Sequence, residues 1–134
     1  MNELQTIYDF LGRLLGWYVG GTDGFVYALI IFIAVDYITG VLCAVVEKNL
    51  SSKIGARGIV KKIMIMLLVG VAHLLDIHLF NQGTVLRTVV ISFYMANEGL
   101  SILENAISIG LPVPQKLKDV LASVREKNNK KEEK

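Results

Sequence analysis

A chain of 134 residues holds material for one domain, and its makeup is not that of a soluble one: 53% of residues are hydrophobic and 19% charged, against ~25% charged in globular proteins. The formal net charge of +2, with no basic stripe interleaved with aromatics, argues against nucleic acid as a partner. The single Cys43 excludes an intramolecular disulfide and a cysteine-based zinc cluster.

Charge is also segregated. Lysine and arginine crowd into Lys48–Lys62 and into the tail after Pro114, with long apolar runs between. That is a membrane pattern, because lipid excludes charge from spans and leaves it in connections. The N-terminus lacks a basic leader and an Ala-x-Ala site, so no cleaved signal peptide is expected.

Leu4 to Val19 reads as a helix with a wide apolar side and a stripe of Asp9, Gly12, Arg13, Gly16 and Gly20. Asp9 and Arg13 are placed to pair across one turn. The segment is short for a span and charged, so an interfacial helix with Trp17 and Tyr18 at headgroup level is expected, with a fourth span as the alternative. The glycines either form a close-packing face or merely loosen a surface helix. Gly20 to Gly24 breaks the helix.

Phe25 to Val46 is the strongest span, covering ~33 Å at ~1.5 Å per residue, enough for a ~30 Å hydrocarbon core. Asp36 is its only charge. Glu47 to Lys62 reads as a polar connection carrying Lys48, Lys53, Arg57, Lys61 and Lys62. Ile63 to Phe80 is a second span, apolar until His73, Asp76 and His78. Asn81 to Thr84 is a turn signal. Thr88 to Leu111 is a third span, with Glu98 and Glu104 inside it, stopped by Gly110 and Pro112 to Pro114. Leu117, Val120, Leu121 and Val124 give a short amphipathic helix, and the charged tail Lys127–Lys134 is expected to be disordered. The fold class is therefore an all-α integral membrane protein of three spans, plus the N-terminal and C-terminal helices. Residues 1–24 form the N-terminal helix and turn, 25–111 the transmembrane region and 112–134 a cytoplasmic basic tail. The basic bias puts the 47–62 connection and the tail in the cytoplasm whether there are three spans or four.

A carboxylate at the bilayer centre costs ~2.5–3.5 kcal/mol, so it should face protein or water. Asp36 shares a helix line with Gly40 and Ala44, small enough for close helix approach. Tyr94, Glu98, Ser101, Asn105 and Ser108 form a polar stripe on the third span, and Gly70, His73 and Asp76 share a face of the second. One reading seals these groups inside a single bundle, with Asp36 paired to His73. The length of the stripe, with carboxylates in all three spans, points instead to oligomeric contacts or a water-filled lumen. Metal binding and catalysis find no support. His73 and His78 diverge by ~140° around a helix, no nucleophile elbow or phosphate loop occurs, and Cys43 within a span reads as packing. No cofactor is expected.

Asp36-Tyr37-Ile38-Thr39-Gly40, Leu50 to Gly55 and Gly58 to Lys62, followed by Ala72-His73-Leu74-Leu75-Asp76, Phe93 to Ser101 and Pro112-Val113-Pro114, resemble in succession the toxin secretion/phage lysis holin family, from Phe25 to Val124. The resemblance implies a non-enzymatic protein of the bacterial cytoplasmic membrane. Its partners would be the lipid bilayer and copies of itself, and its oligomer would open lesions that release an endolysin or a toxin. A small ion or proton channel, with Asp36, His73 and Glu98 as a relay, is one alternative. A non-conducting membrane scaffold is the other.

Overall fold

The computed structural model describes residues 2–81 and 83–132, with side chains through Lys127. Gln82, part of the expected turn, lies outside the described residues, as do Met1 and the last two residues of the tail. The fold is all-α: α1 (Glu3–Tyr18), α2 (Gly24–Val46), α3 (Ser52–Leu75), α4 (Val85–Ser108) and α5 (Gln115–Glu132), with α3 continuing into a π-helical turn, Asp76–Phe80.

The starts of α1, α2 and α3 each have a local cause. Asn2 Oδ1 accepts from the Leu4 N–H (3.0 Å), Asp23 Oδ1 from that of Val26 (2.9 Å) and Ser51 Oγ from that of Ile54 (3.5 Å). Such side-chain acceptors satisfy donors that a helix N-terminus leaves free. The Ser51 cap corrects the expected connection: the polar link is only residues 47–51, and Lys53, Arg57, Lys61 and Lys62 are helical. Among the described residues, two helices are long and apolar enough to cross a membrane, Gly24–Val46 and the continuous Ser52–Phe80. The tail also differs from expectation. α5 runs through Lys127 to Glu132, because Lys and Glu are good helix formers and extending a helix already begun is far easier than nucleating one.

α4 is the central helix. It packs along α2, α3 and α5, while α2 and α3 touch each other little. Val19, Val26, Leu29, Ile65, Val69 and Ile91 form the core. Most other large apolar side chains of α2 and α3 point outward, Ile31, Ile38, Leu42 and Ile63 among them, the surface that lipid rather than water covers. Leu121 of α5 lies against Gly99 of α4, where a Cβ would come within 3.1 Å of Leu121 Cδ1.

No residue of α1 is buried, and Asp9 and Arg13 do not form an ion pair. One contact ties α1 to the bundle. The Tyr18 ring fills the space beside Gly70 that a side chain would occupy, and its hydroxyl donates to the Leu67 carbonyl at 2.7 Å. Gly70→Ala should therefore expel the ring and release α1 while leaving the α2–α4 bundle folded. Protease cleavage within α1 should accelerate with little loss of helicity, and an unchanged cleavage rate would contradict this anchoring.

Candidate functional site

Two polar clusters sit at opposite ends of the apolar core. In the lower one, each long helix supplies one charge. Lys62 Nζ of α3 lies 2.7 Å from Asp36 Oδ2 of α2 and 2.7 Å from Glu98 Oε2 of α4. The side chains are 16%, 12% and 9% exposed respectively. A polar ladder continues from there between α2 and α4. Asn105 Nδ2 donates to Asp36 Oδ1 (3.3 Å) and Thr39 Oγ1 (2.9 Å), the Cys43 thiol donates to the Asn105 carbonyl (3.2 Å), and Ser108 Oγ donates to Glu47 Oε1 (3.3 Å).

The upper cluster centres on Arg87, 2% exposed, and Asp76, 0% exposed. Asp76 accepts the Leu86 and Arg87 backbone N–H groups at 2.9 Å each, so a carboxylate meets the positive end of α4. The Arg87 side chain reaches the other way. Its Nε donates to the Val19 carbonyl (2.6 Å), its Nη2 to that of Gly21 (3.1 Å), and the guanidinium grips both oxygens of Asp23 at 3.0 and 3.2 Å. Gly20, at φ +88°, is required here twice over: the left-handed backbone favours glycine, and a Cβ would come within 2.7 Å of Arg87 Nε and His73 Nδ1. His73 Nδ1 is buried without a hydrogen-bond partner among the described residues.

The expected residues are thus divided. Asp36, Glu98 and Asn105 meet, Gly40 lies beside Asn105, and Ala44 and Ser101 line the adjoining cleft. Tyr94 packs edge-on against Phe93, ring centroids 5.0 Å apart, and against the core. His73 and Asp76 belong to the other cluster. Asp36 is therefore not paired to His73, and an Asp36–His73–Glu98 relay is interrupted by the apolar core. Lys48, Lys53, Arg57 and Lys61 are exposed as a connection would be, but Lys62 is not. Placing the end of the connection at Lys62 hid its role. Two carboxylates in neighbouring spans call for a cation at their depth, and Lys62, the last basic residue before a long apolar run, was the available one. Arg87 falls between the Asn81 to Thr84 turn signal and the span expected from Thr88, where a lone basic residue reads as part of a connection outside the membrane.

A family model described as the Bacteriophage holin family matches residues 13–126. The chain belongs to that family. An uncharacterized protein of Clostridium perfringens strain 13 is 43% identical to this holin-family chain over 120 residues, 90% of this chain and 89% of that protein. An uncharacterized protein of Listeria monocytogenes is 43% identical over 123 residues, 92% and 87% of the two chains. A probable holin of Bacillus phage phi105 is 36% identical over 117 residues, 87% and 86%. No solved structure matches. Holin-family proteins act at membranes and are not enzymes. No group of three or more His, Cys, Asp or Glu suited to a metal occurs among the described residues.

Removing one member of a buried ion pair costs about 3–5 kcal/mol, whereas replacing all members by uncharged groups is often near neutral. Lys62→Met should therefore destabilise the protein far more than Asp36→Asn, Lys62→Met and Glu98→Gln combined, measured by unfolding in detergent micelles. Equal losses would show that the triad carries no coupling. At the upper cluster, the Arg87 hydrogen bond, helped by the Val26 N–H, holds the Asp23 carboxyl below its usual value. The resulting stability is present above the unfolded carboxyl pKa of ~3.9 and is lost as pH falls through the lowered one. Asp23 is 52% exposed, so the effect should be about 1 kcal/mol or less. Asp23→Asn should flatten that acid limb, and an unchanged limb would remove Asp23 as its source.

Proposed function

We propose that this protein is a holin that self-associates in the bacterial cytoplasmic membrane and opens lesions releasing an endolysin or a toxin. The observation that carries this reading is the triad. Its two carboxylates lie within α2 and α4 and its ammonium within the Ser52–Phe80 helix, so the middle of α4 shares a level with two helices apolar enough to span. α4 is accordingly the third span, with Glu104 and Ser108 approaching the interface, and α1, with no buried residue and its Tyr18 end tied to α3, is the interfacial helix. Residues 1–24, 25–111 and 112–134 are then the N-terminal, transmembrane and tail regions. The 47–51 link, the exposed Lys48, Lys53, Arg57 and Lys61, and the tail face the cytoplasm.

In the oligomer the cleft beside the polar ladder from Asp36 to Ser108 is what another copy or the lumen meets. Its neighbours Gly40 and Ala44 permit close approach. Moving one charge across the membrane potential is worth ~2.3 kcal/mol per 100 mV, so a charged triad in every subunit makes opening steep in voltage.

Expressed with an endolysin, the protein should lyse cells abruptly after a delay; expressed alone, it should collapse the membrane potential. In liposomes it should pass large dyes as well as ions. Passage of ions alone would replace this reading by that of a small channel. An intact potential, with the protein accumulated in the membrane, would replace it by that of a non-conducting scaffold.

A further inference from the structure

At the end carrying the 47–51 link, a cleft of about 880 Å³ runs from Glu47 and Ser51 down to Asp36 and Lys62. Glycines keep it open: Gly40 on α2 and Gly55 and Gly58 on α3 line it. Ser101, Asn105 and Ser108 of α4 form its polar wall. From Val46 to Asp36 is ~15 Å of helix, about half of a ~30 Å hydrocarbon layer. Past Lys62 the character changes, since Leu29, Val69 and Ile91 are 0% exposed and close the bundle with apolar side chains. A second recess of about 460 Å³ reaches the same triad between α3 and α4.

We propose that this cleft is a water-filled vestibule opening at the 47–51 link, and that the triad at its floor takes up one proton from it. Two carboxylates share one ammonium there, so the fully ionised site carries a net charge of −1, which one proton neutralises. The ionisable groups facing it are Asp36, Tyr37 and Cys43 from α2, Lys62 from α3 and Glu98 from α4, with Glu47 at the mouth and Lys61 and Tyr94 beside the smaller recess. Both Asp36 oxygens are engaged, Oδ2 by Lys62 and Oδ1 by Asn105, while Lys62 holds Glu98 through Oε2. The proton therefore leaves a hydronium ion in the vestibule and bonds to Glu98. The apolar plug separates the triad from the opposite face, so its protonation follows one side of the membrane only.

This deepens the reading above but rests only on its membrane insertion, and the test involves no lysis. Single cysteines are placed in the full chain in a Cys43→Ala background, the protein is reconstituted in vesicles, and charged thiosulfonates that do not cross membranes are applied from either side. Ala44→Cys and Ser101→Cys should react from the 47–51 side alone, and Val69→Cys from neither. At Ser101→Cys the cationic reagent should outpace the anionic one by about tenfold relative to Thr84→Cys, given a unit charge nearby. That ratio, in which the thiol's own titration cancels, should fall on acidifying the 47–51 side and should be low and flat when Glu98→Gln is added. Ser101→Cys as inert as Val69→Cys would show that lipid or closed packing fills the cleft and would overturn the vestibule. A ratio that ignores pH with the triad intact would overturn the proton site. Failure of the lytic reading, by contrast, would leave both results standing.

Discussion

Lys62 places one ammonium 2.7 Å from each of two carboxylates, and the arrangement of the three long helices follows from the cost of leaving any of those charges alone in a low-dielectric layer. Asp36 fixes the face that α2 must turn inward and Glu98 does the same for α4. Lys62 is the only group on α3 that answers both. Because α4 carries Glu98 and Arg87 on its buried side, its position depends on its neighbours. Without partners its Glu98 and Arg87 would exclude it from an apolar environment, whereas with them it becomes the helix on which the others pack.

The same logic operates at the other end with different chemistry. Arg87 binds backbone carbonyls of the α1–α2 turn and the Asp23 carboxylate, while its own N–H is capped by Asp76. The planar guanidinium, with donors on three nitrogens, suits such a divided task better than an ammonium would. Between these clusters α4 meets the core through apolar side chains, Val90 and Ile91 among them. α4 is thus held at two heights by directional bonds and between them by packing that tolerates sliding. This division of labour suits a helix that must hold one arrangement until it adopts another.

Much of this was legible in the residues. Phe25 to Val46 announces a span by its length and apolarity, the Gly110 to Pro114 segment announces the end of α4, and the stripe from Tyr94 to Ser108 announces a helix face in need of polar company. The partners were harder to read. Helical periodicity reports which residues share a face but not which faces meet, and the Asp36–Lys62 pair spans 26 positions across a turn. The boundary at Lys62 failed for a local reason. A run of basic residues reads as a connection, yet Ser51 caps a helix that includes them, and one face of that helix points at two carboxylates. Arg87 escaped notice because a lone basic residue near a turn ordinarily faces water.

The function proposed above requires a chain that first accumulates closed and then opens, so its charges must be paired in the first state and available in the second. The triad pairs its charges within one chain and, with a cleft at its side, leaves them within reach of a second partner. The most direct measurement is solid-state NMR of the full chain in lipid bilayers, with the lysine side-chain nitrogens and the Asp and Glu carboxyl carbons labelled. The expected result is short-range dipolar coupling from the Lys62 ammonium to the carboxyl carbons of both Asp36 and Glu98, with the Glu98 coupling abolished by Glu98→Gln. Coupling to neither carboxyl carbon would contradict it.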